Sequence, residues 1–326
     1  MEIRAVHKAL GDAMQKLAHR KSAMAEGTGA TGGYLVPREV CLRIDDGLKE
    51  IGIFHRLAQR FPMGSLQLGV PAFDLTAAHA AGDSPLFGGM GVRWTNEGQS
   101  LTELEPSFAS SDLVAQSCDG LVYVNNQLVQ DGGEPLGAYL MWQFLQCLEW
   151  AVEKECFVGV APGRPQGIVK SSATAQVNRA TPSHVTIADP GKMVSSLLPA
   201  SFRRAIWACN PTVIADLTQL ATFQQNSALG IHAEALCGVL LCRPVFVTEK
   251  LPALGTLGDL VLFDPKLYAL GTREIEVVMA PFEPTAFAKN QTIYRLQWRG
   301  DGQPMPRNTI KLHDNTVTVG GFVALN

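Results

Sequence analysis

Charge is scarce in this chain. Asp, Glu, Lys and Arg make up 17% of its 326 residues, against roughly 25% in an average soluble protein. Neither sign dominates: 27 basic and 30 acidic residues leave a formal charge of −3. A protein that grips phosphates directly needs clustered Lys and Arg, so this balance argues against that class. A container that another machine fills with nucleic acid is not. No apolar run reaches the ~18 residues of a transmembrane helix, and the first residues lack the apolar stretch of a secretory signal. An intracellular protein with reduced thiols is therefore expected. Its seven cysteines are an odd number, which does not suit a complete set of internal disulfides.

Catalytic motifs are missing as well. The chain has no G-x-S-x-G elbow, Walker loop, C-x-x-C pair or H-E-x-x-H helix. Gly27-Thr28-Gly29-Ala30-Thr31-Gly32 matches G-x-G-x-x-G, and Asp46 follows at about the right distance for a ribose contact. A dinucleotide site, however, needs a strand before the glycines and a helix after them. Here a charged helical segment precedes them and Tyr34-Leu35-Val36-Pro37 follows, which reads as a flexible joint. His232-Ala233-Glu234 resembles the H-x-E of zinc deaminases, but Cys237 and Cys242 are five apart and do not make the P-C-x-x-C partner. Cys147 and Cys156 lie on or beside the apolar side of a predicted helix, which favours packing over nucleophilic chemistry. No catalytic residue, cofactor site or metal site is expected.

What the chain does have is apolar content: 46% of its residues are hydrophobic. That suits one large domain or two closely joined ones. Residues 2 to 24 read as an amphipathic helix, with Ile3, Val6, Leu10, Ala13, Met14 and Leu17 at spacings of three and four. Residues 1 to 21 carry five bases and two acids, opposite in sign to the whole. This is either a solvated helix face or an arm that docks on neighbours, a scaffold or DNA. After the glycines, residues 38 to 51 suit a short helix.

Residues 61 to 118 read as a long hairpin with a loose tip. Leu66, Leu68 and Val70 alternate as a strand does. Residues 77 to 91 are rich in Gly, Ala, Ser and Pro, and Trp94 and residues 101 to 113 return as a second arm. A lone two-stranded hairpin is marginal in water, so another subunit is expected to support it. The clearest helix spans 135 to 158: Leu136, Leu140, Phe144, Leu148 and Val152 step by four, Pro135 suits its first turn, and Gly159 and Pro162 stop it. Residues 189 to 224 suggest helix in two pieces, divided at Asn210-Pro211. Strands are expected at 239–241, 245–247, 260–263, 275–279, 294–298 and 317–325. Arg295 and Arg299 share one strand face and Trp298 the other, ahead of a turn at Asp301-Gly302. That arginine face is either solvated or used for intersubunit salt bridges. Helices flanked by interrupted strands indicate a mixed α+β fold.

In this order the segments resemble the tailed-bacteriophage major capsid family, with its Hong Kong 97 capsid fold. The resemblance is carried by the glycine joint and Tyr34-Leu35-Val36-Pro37, by Trp94 with Glu97, and by Gln127-Leu128-Val129-Gln130-Asp131 before the long helix. It continues in Gly159 with Pro165-Gln166-Gly167-Ile168, in Trp207-Ala208-Cys209-Asn210, and in Gly238 with Arg243-Pro244-Val245. Gly258-Asp259 and the strand bearing Arg295, Arg299, Asp301 and Gly302 complete it. It implies an N-terminal helix and flexible N-arm (1–33), the start of a P-domain (34–60), an E-loop hairpin (61–118) and a P-domain with a spine helix (119–186). An A-domain (187–290) and return strands (291–326) follow.

The function so implied is assembly without catalysis: hexamers and pentamers that form an icosahedral shell around packaged double-stranded DNA, bound without sequence specificity. In such a family the E-loop and N-arm drape over adjacent subunits. Candidate intersubunit contacts are Tyr34, Arg93, Trp94, Glu97, Glu103, Glu105, Arg295, Arg299 and Asp301. Only 26 residues precede the joint, so a scaffold should be a separate protein; portal and decoration proteins are further candidate partners, and no membrane is involved. The virion capsid, assembled in the bacterial host cytoplasm, is the implied location. The archetype's Lys–Asn crosslink cannot form from this E-loop, because no Lys lies between Lys49 and Lys154. Rival readings are an encapsulin-like nanocompartment shell, a gene-transfer or defective prophage particle, and a soluble α+β enzyme.

Overall fold

The computed structural model describes residues 52–326, apart from 76–83, 93, 99, 101–104, 226–235, 274, 281–283 and 314–316. The helix expected over 2–24, the glycine joint and the short helix over 38–51 lie outside the described residues. Those described fall in one compact unit, Glu50–Asn326. In chain order its elements are α1 (Ile53–Leu57), β1 (Gln59–Pro62), β2 (Gln67–Phe73), β3 (Phe108–Val114), β4 (Gln116–Asn125) and α2 (Asn126–Val158). Then come β5 (Thr174–Val177), α3 (Ala188–Ser195), β6 (Ile206–Cys209), α4 (Ile214–Leu217), β7 (Phe223–Gln225), β8 (Leu236–Leu240) and β9 (Arg243–Val247). The last are β10 (Leu260–Phe263), β11 (Tyr268–Thr272), β12 (Glu276–Ala280), α5 (Pro284–Ala288), β13 (Gln291–Pro304), β14 (Ile310–Lys311), β15 (Thr318–Val319) and β16 (Phe322–Leu325).

A seven-stranded mixed sheet runs in the order β5-β16-β10-β6-β9-β8-β7. Its central strands are short apolar runs buried on both faces, so alternate side chains feed two different cores. Trp207, Cys209, Leu260, Leu262, Val323 and Leu325 pack with Met193, Val213 and Leu217 on one side. Ile206, Ala208, Val261, Phe263, Phe322 and Ala324 pack with Phe54, Phe157 and Tyr268 on the other. The helical reading of 189–224 is corrected here: α3 and α4 stand at its ends, but the middle is the buried strand β6. Period alone does not separate a short, wholly apolar strand from a buried helical turn. β5 and β11 were not anticipated from the sequence.

The second sheet is organised by β13. The whole of β4 pairs antiparallel with it along one edge, from Gln116↔Gly300 to Asn125↔Gln291. Along the other edge lie β11, opposite residues 300–304, and then β12, opposite residues 293–297. β1 extends the sheet beyond β11. The turn expected at Asp301-Gly302 is instead a continuation of β13 through Pro304.

Helix α2 follows β4 without a loop. It starts at Asn126, nine residues before the predicted start at Pro135, so Gln127–Asp131 belong to it. Asn125 Oδ1 caps the helix by accepting the Gln127 N–H at 3.1 Å, and Asn126 Oδ1 accepts from the Thr292 hydroxyl at 2.5 Å. At about 1.5 Å per residue its 33 residues span roughly 50 Å. Phe144, Leu148 and Val152 pack on Cys118, Leu296 and Trp298 of the sheet. Gly120 permits this approach: a Cβ there would stand 2.5 Å from the Phe144 ring. At its other end, α2 buries Cys156 and Phe157 in the second core. Burial pushes the Cys156 thiol up to about 12, which makes it an inert packing group.

Candidate assembly surface

β2 and β3 pair antiparallel from Gln67↔Val114 to Phe73↔Phe108, within the segment read as a hairpin. Its two ends differ. At the base, Leu113 and Ala115 are buried with Met63 and Ala269, and Leu68 and Val70 pack against them. Toward the tip, Phe108, Ala109 and Ser110 are exposed. Beyond β2 the Asp74 N–H donates to the Ser107 carbonyl at 3.0 Å, and the Ser107 N–H donates to that of Gly88 at 2.8 Å. A short 3-10 turn, Pro85–Phe87, is capped by Ser84. Leu75 and Leu86 pack against Leu198, Ile310 and Val319 of the same chain. The expectation of a hairpin without support from its own chain is thereby corrected: its base and part of its loop rest on the subunit's own surface.

What remains uncovered includes large apolar groups. Phe87, Val92, Trp94 and Phe108 are exposed, Val92 at 94% and Trp94 wholly. Large apolar side chains exposed on and beside one loop make that loop the candidate interaction site. Of these residues the sequence reading singled out only Trp94.

The other sequence candidates divide into three groups. Glu97 and Glu105 are exposed on the same loop as Trp94. Tyr34, Arg93 and Glu103 lie outside the described residues, as do His232 and Glu234. Arg295 and Arg299 share one face of β13, opposite the buried Trp298; Arg295 is exposed and Arg299 half-buried. Asp301 works within the subunit. It is 5% exposed, and its carboxylate accepts the N–H groups of Val114 (2.9 Å) and Gly302 (2.8 Å). Burial raises its pKa, partly offset by those hydrogen bonds and one from Gln303.

A second buried carboxylate joins α1, α2 and the segment after β9. Glu153 accepts N–H groups of Ile53 and of Phe54 and pairs with Lys250 at 3.5 Å, both side chains almost wholly buried. Desolvation raises its pKa, and Lys250 and the two N–H donors partly oppose the rise. Its partners identify it as a structural junction. Among the described residues no group of His, Cys, Asp and Glu could hold a metal ion, and no helix is long and apolar enough to cross a membrane.

Comparison with known proteins agrees with this architecture. The sequence model of the phage capsid family matches residues 32–314. No curated protein matches the chain. The fold is similar to the capsid of an empty GTA particle, with a TM-score of 0.69 and 16% identity over 93% of this chain and 99% of that one. It is also similar to a chain of Microbacterium phage Oxtober96 (TM-score 0.61, 13% identity, 93% and 99% covered). A chain of Mycobacterium phage Adephagia is alike to the same degree (TM-score 0.61, 11% identity, 92% and 97% covered). With a family match over most of its length, a Hong Kong 97-like α+β fold and a hairpin loop that exposes large apolar groups, the chain belongs to the phage capsid family and is a major capsid shell protein.

Proposed function

We propose that copies of this chain assemble into hexamers and pentamers that close into an icosahedral shell around double-stranded DNA, and that assembly, not catalysis, is its whole activity. The observation that carries the reading is the hairpin. Its base is built into the subunit core through Leu113 and Ala115, while Phe87, Val92, Trp94 and Phe108 are presented to solvent. A rigid root with an uncovered apolar end is what a contact between subunits needs. A stable interface buries about 1,200 Å² or more, and an extended arm reaches that area without a larger core. Closed symmetry then repeats each modest contact around the shell.

In this reading residues 61–118 are the E-loop, 119–186 and 291–326 the P-domain around α2, and 187–290 the A-domain around the seven-stranded sheet. Tyr34, Arg93, Trp94, Glu97, Glu103, Glu105, Arg295 and Arg299 meet neighbouring subunits, and Asp301 holds the hairpin root behind them. DNA is enclosed without sequence-specific contacts, as the near-neutral charge balance suits. Assembly proceeds in the host cytoplasm, with a separate scaffold, portal and decoration proteins as partners.

Negative-stain microscopy with light scattering over a range of protein and salt concentrations tests this. Rings of five and six or closed shells are expected; a monomer at every concentration, with scaffold supplied, would overturn it. Sequencing the enclosed DNA separates a phage genome from the host fragments of a gene-transfer particle. A co-purifying enzyme in place of DNA would indicate a nanocompartment.

A further inference from the structure

β4 turns one face to α2, and Cys118, Gly120, Val122 and Val124 lie along that face at every second residue. The two elements run in opposite directions across the junction. Gly120 meets the Phe144 ring, Val122 and Val124 line one groove with Met141 and Phe144, and Cys118 lines a second with Ala151 and Val152. Cys147 stands three residues after Phe144 and four before Ala151, so it belongs to the same stripe of the helix. From the Gly120–Phe144 contact, two strand residues advance about 6.8 Å to Cys118, and three helical residues advance about 4.5 Å to Cys147. The two thiols therefore come nearly level across the junction.

Their surroundings differ. Both are free thiols, Cys147 exposed and Cys118 half-buried. The sequence reading set Cys147 among the packing cysteines, but it lines a surface groove. Burial raises the Cys118 thiol, and the nearby Asp119 and Cys147 add to the rise. Cys156, farther along the same helix, is wholly buried and out of an oxidant's reach.

We propose that Cys118 and Cys147 are a redox pair, open in a reducing medium and closed to an internal disulfide by a small-molecule disulfide such as oxidised glutathione. The exposed Cys147 thiolate attacks the oxidant, forming a mixed disulfide and releasing one small thiolate. The Cys118 thiolate then attacks the Cys147 sulfur and releases the second. One S–S bond breaks and one forms; the oxidant is reduced to two thiols, which take up the two protons the cysteines give up. The closed bond ties β4 to the middle of α2 and encloses a loop of about 30 residues, which restricts the unfolded chain. No step depends on copies meeting, so the pair stands or falls apart from the shell reading.

The test is a redox titration of the full, unassembled chain with reduced and oxidised glutathione. Acid quenching, alkylation and non-reducing peptide mapping follow, for wild type, Cys118→Ser and Cys147→Ser. Wild type is expected to yield one Cys118–Cys147 linked peptide, two hydrogens lighter than the free pair, and to melt about 5 °C higher once oxidised. Both signs should vanish in Cys147→Ser, while Cys118→Ser should hold glutathione on Cys147 as the trapped intermediate. A wild-type chain that keeps glutathione on Cys147, leaves both thiols open to alkylation, or links Cys147 only to a second chain would overturn the pairing. So would a link that forms only in denaturant. The wild-type map decides even where a serine variant fails to fold.

Discussion

Asp301 holds Val114: the buried carboxylate in β13 accepts the N–H of the last residue of β3 at 2.9 Å, so the central strand of one sheet grips the root of the hairpin. Asp301→Ala leaves the N–H groups of Val114 and Gly302 without their acceptor and should cost about 1–3 kcal/mol. Asp301→Asn, which keeps one acceptor oxygen, should cost less. Urea unfolding of the two variants beside wild type measures the order.

The Glu153–Lys250 pair should be strongly non-additive. Lys250→Met takes the cation from a buried carboxylate and Glu153→Gln takes the carboxylate from a buried ammonium, and breaking one side of such a pair costs about 3–5 kcal/mol. The double variant should be far milder than the sum. A double-mutant cycle in denaturant gives the coupling energy, and an additive result would show that the two groups do not depend on each other.

Burial is the main cause that lifts Glu153 above its ordinary 4.5 and Asp301 above 3.8. For each, the folded pKa exceeds the unfolded one, so the folded chain takes up its proton first as pH falls. The stability contributed by these groups therefore rises as pH drops from above the folded value to the unfolded value, and is level below it. This is the reverse of a salt-bridged surface carboxylate. The stability of wild type relative to Asp301→Asn should accordingly be greater at about pH 4, near the unfolded value of 3.8, than at about pH 7. Chemical denaturation at the two pH values checks the sign.

Gly120→Ala places a methyl group 2.5 Å from the Phe144 ring and should force α2 away from β4, at about 1–3 kcal/mol, the usual cost of overpacking. Phe144→Leu in the same chain should recover part of that loss. Thermal melts of both single variants and the double resolve it; equal melting of Gly120→Ala and wild type would place the helix farther from the strand than described.

Val92→Ser with Trp94→Ser should leave melting within about 0.5 kcal/mol, as surface changes do, yet reduce shell yield. Deleting residues 77–91 is a harsher change, since it also removes Leu86 from its packing on Leu198, Ile310 and Val319. That deletion should lower both stability and assembly, measured by calorimetry and microscopy on the same samples.

Some elements were legible because local chemistry states them without help. Leu260–Phe263 is apolar, short and bounded by Asp259 and Asp264, and it forms a strand with those bounds. The alternation of Leu68 and Val70 with Gln67 and Gly69 marks the inner face of β2. Other elements were misread where tertiary contacts overrule propensity. Gly132, Gly133 and Pro135 suggest a helix that has yet to begin, yet α2 runs through all three, its start set by the Asn125 cap and by Asn126 against Thr292. Asp301-Gly302 has the composition of a turn, but pairing with β11 draws it into a 14-residue strand. Phe87, Val92 and Phe108 went unnoticed as surface groups, because an apolar residue in a loop gives no local sign of whether anything covers it.

The sequence by itself determined the class of the molecule. Few charges and no catalytic motif leave the class open; it is the resemblance of an ordered series of short signatures from Gly27 to Gly302 to a known family that points to a capsid subunit, since local order is legible without knowledge of distant contacts. Only the tertiary structure decided which residues face inward. That Asp301 anchors the hairpin depends on strands nearly two hundred residues apart meeting, and that Arg295 and Trp94 are exposed while Trp298 is buried follows from how the chain packs. Exposure is a property of the packed whole, and no window along the chain contains it.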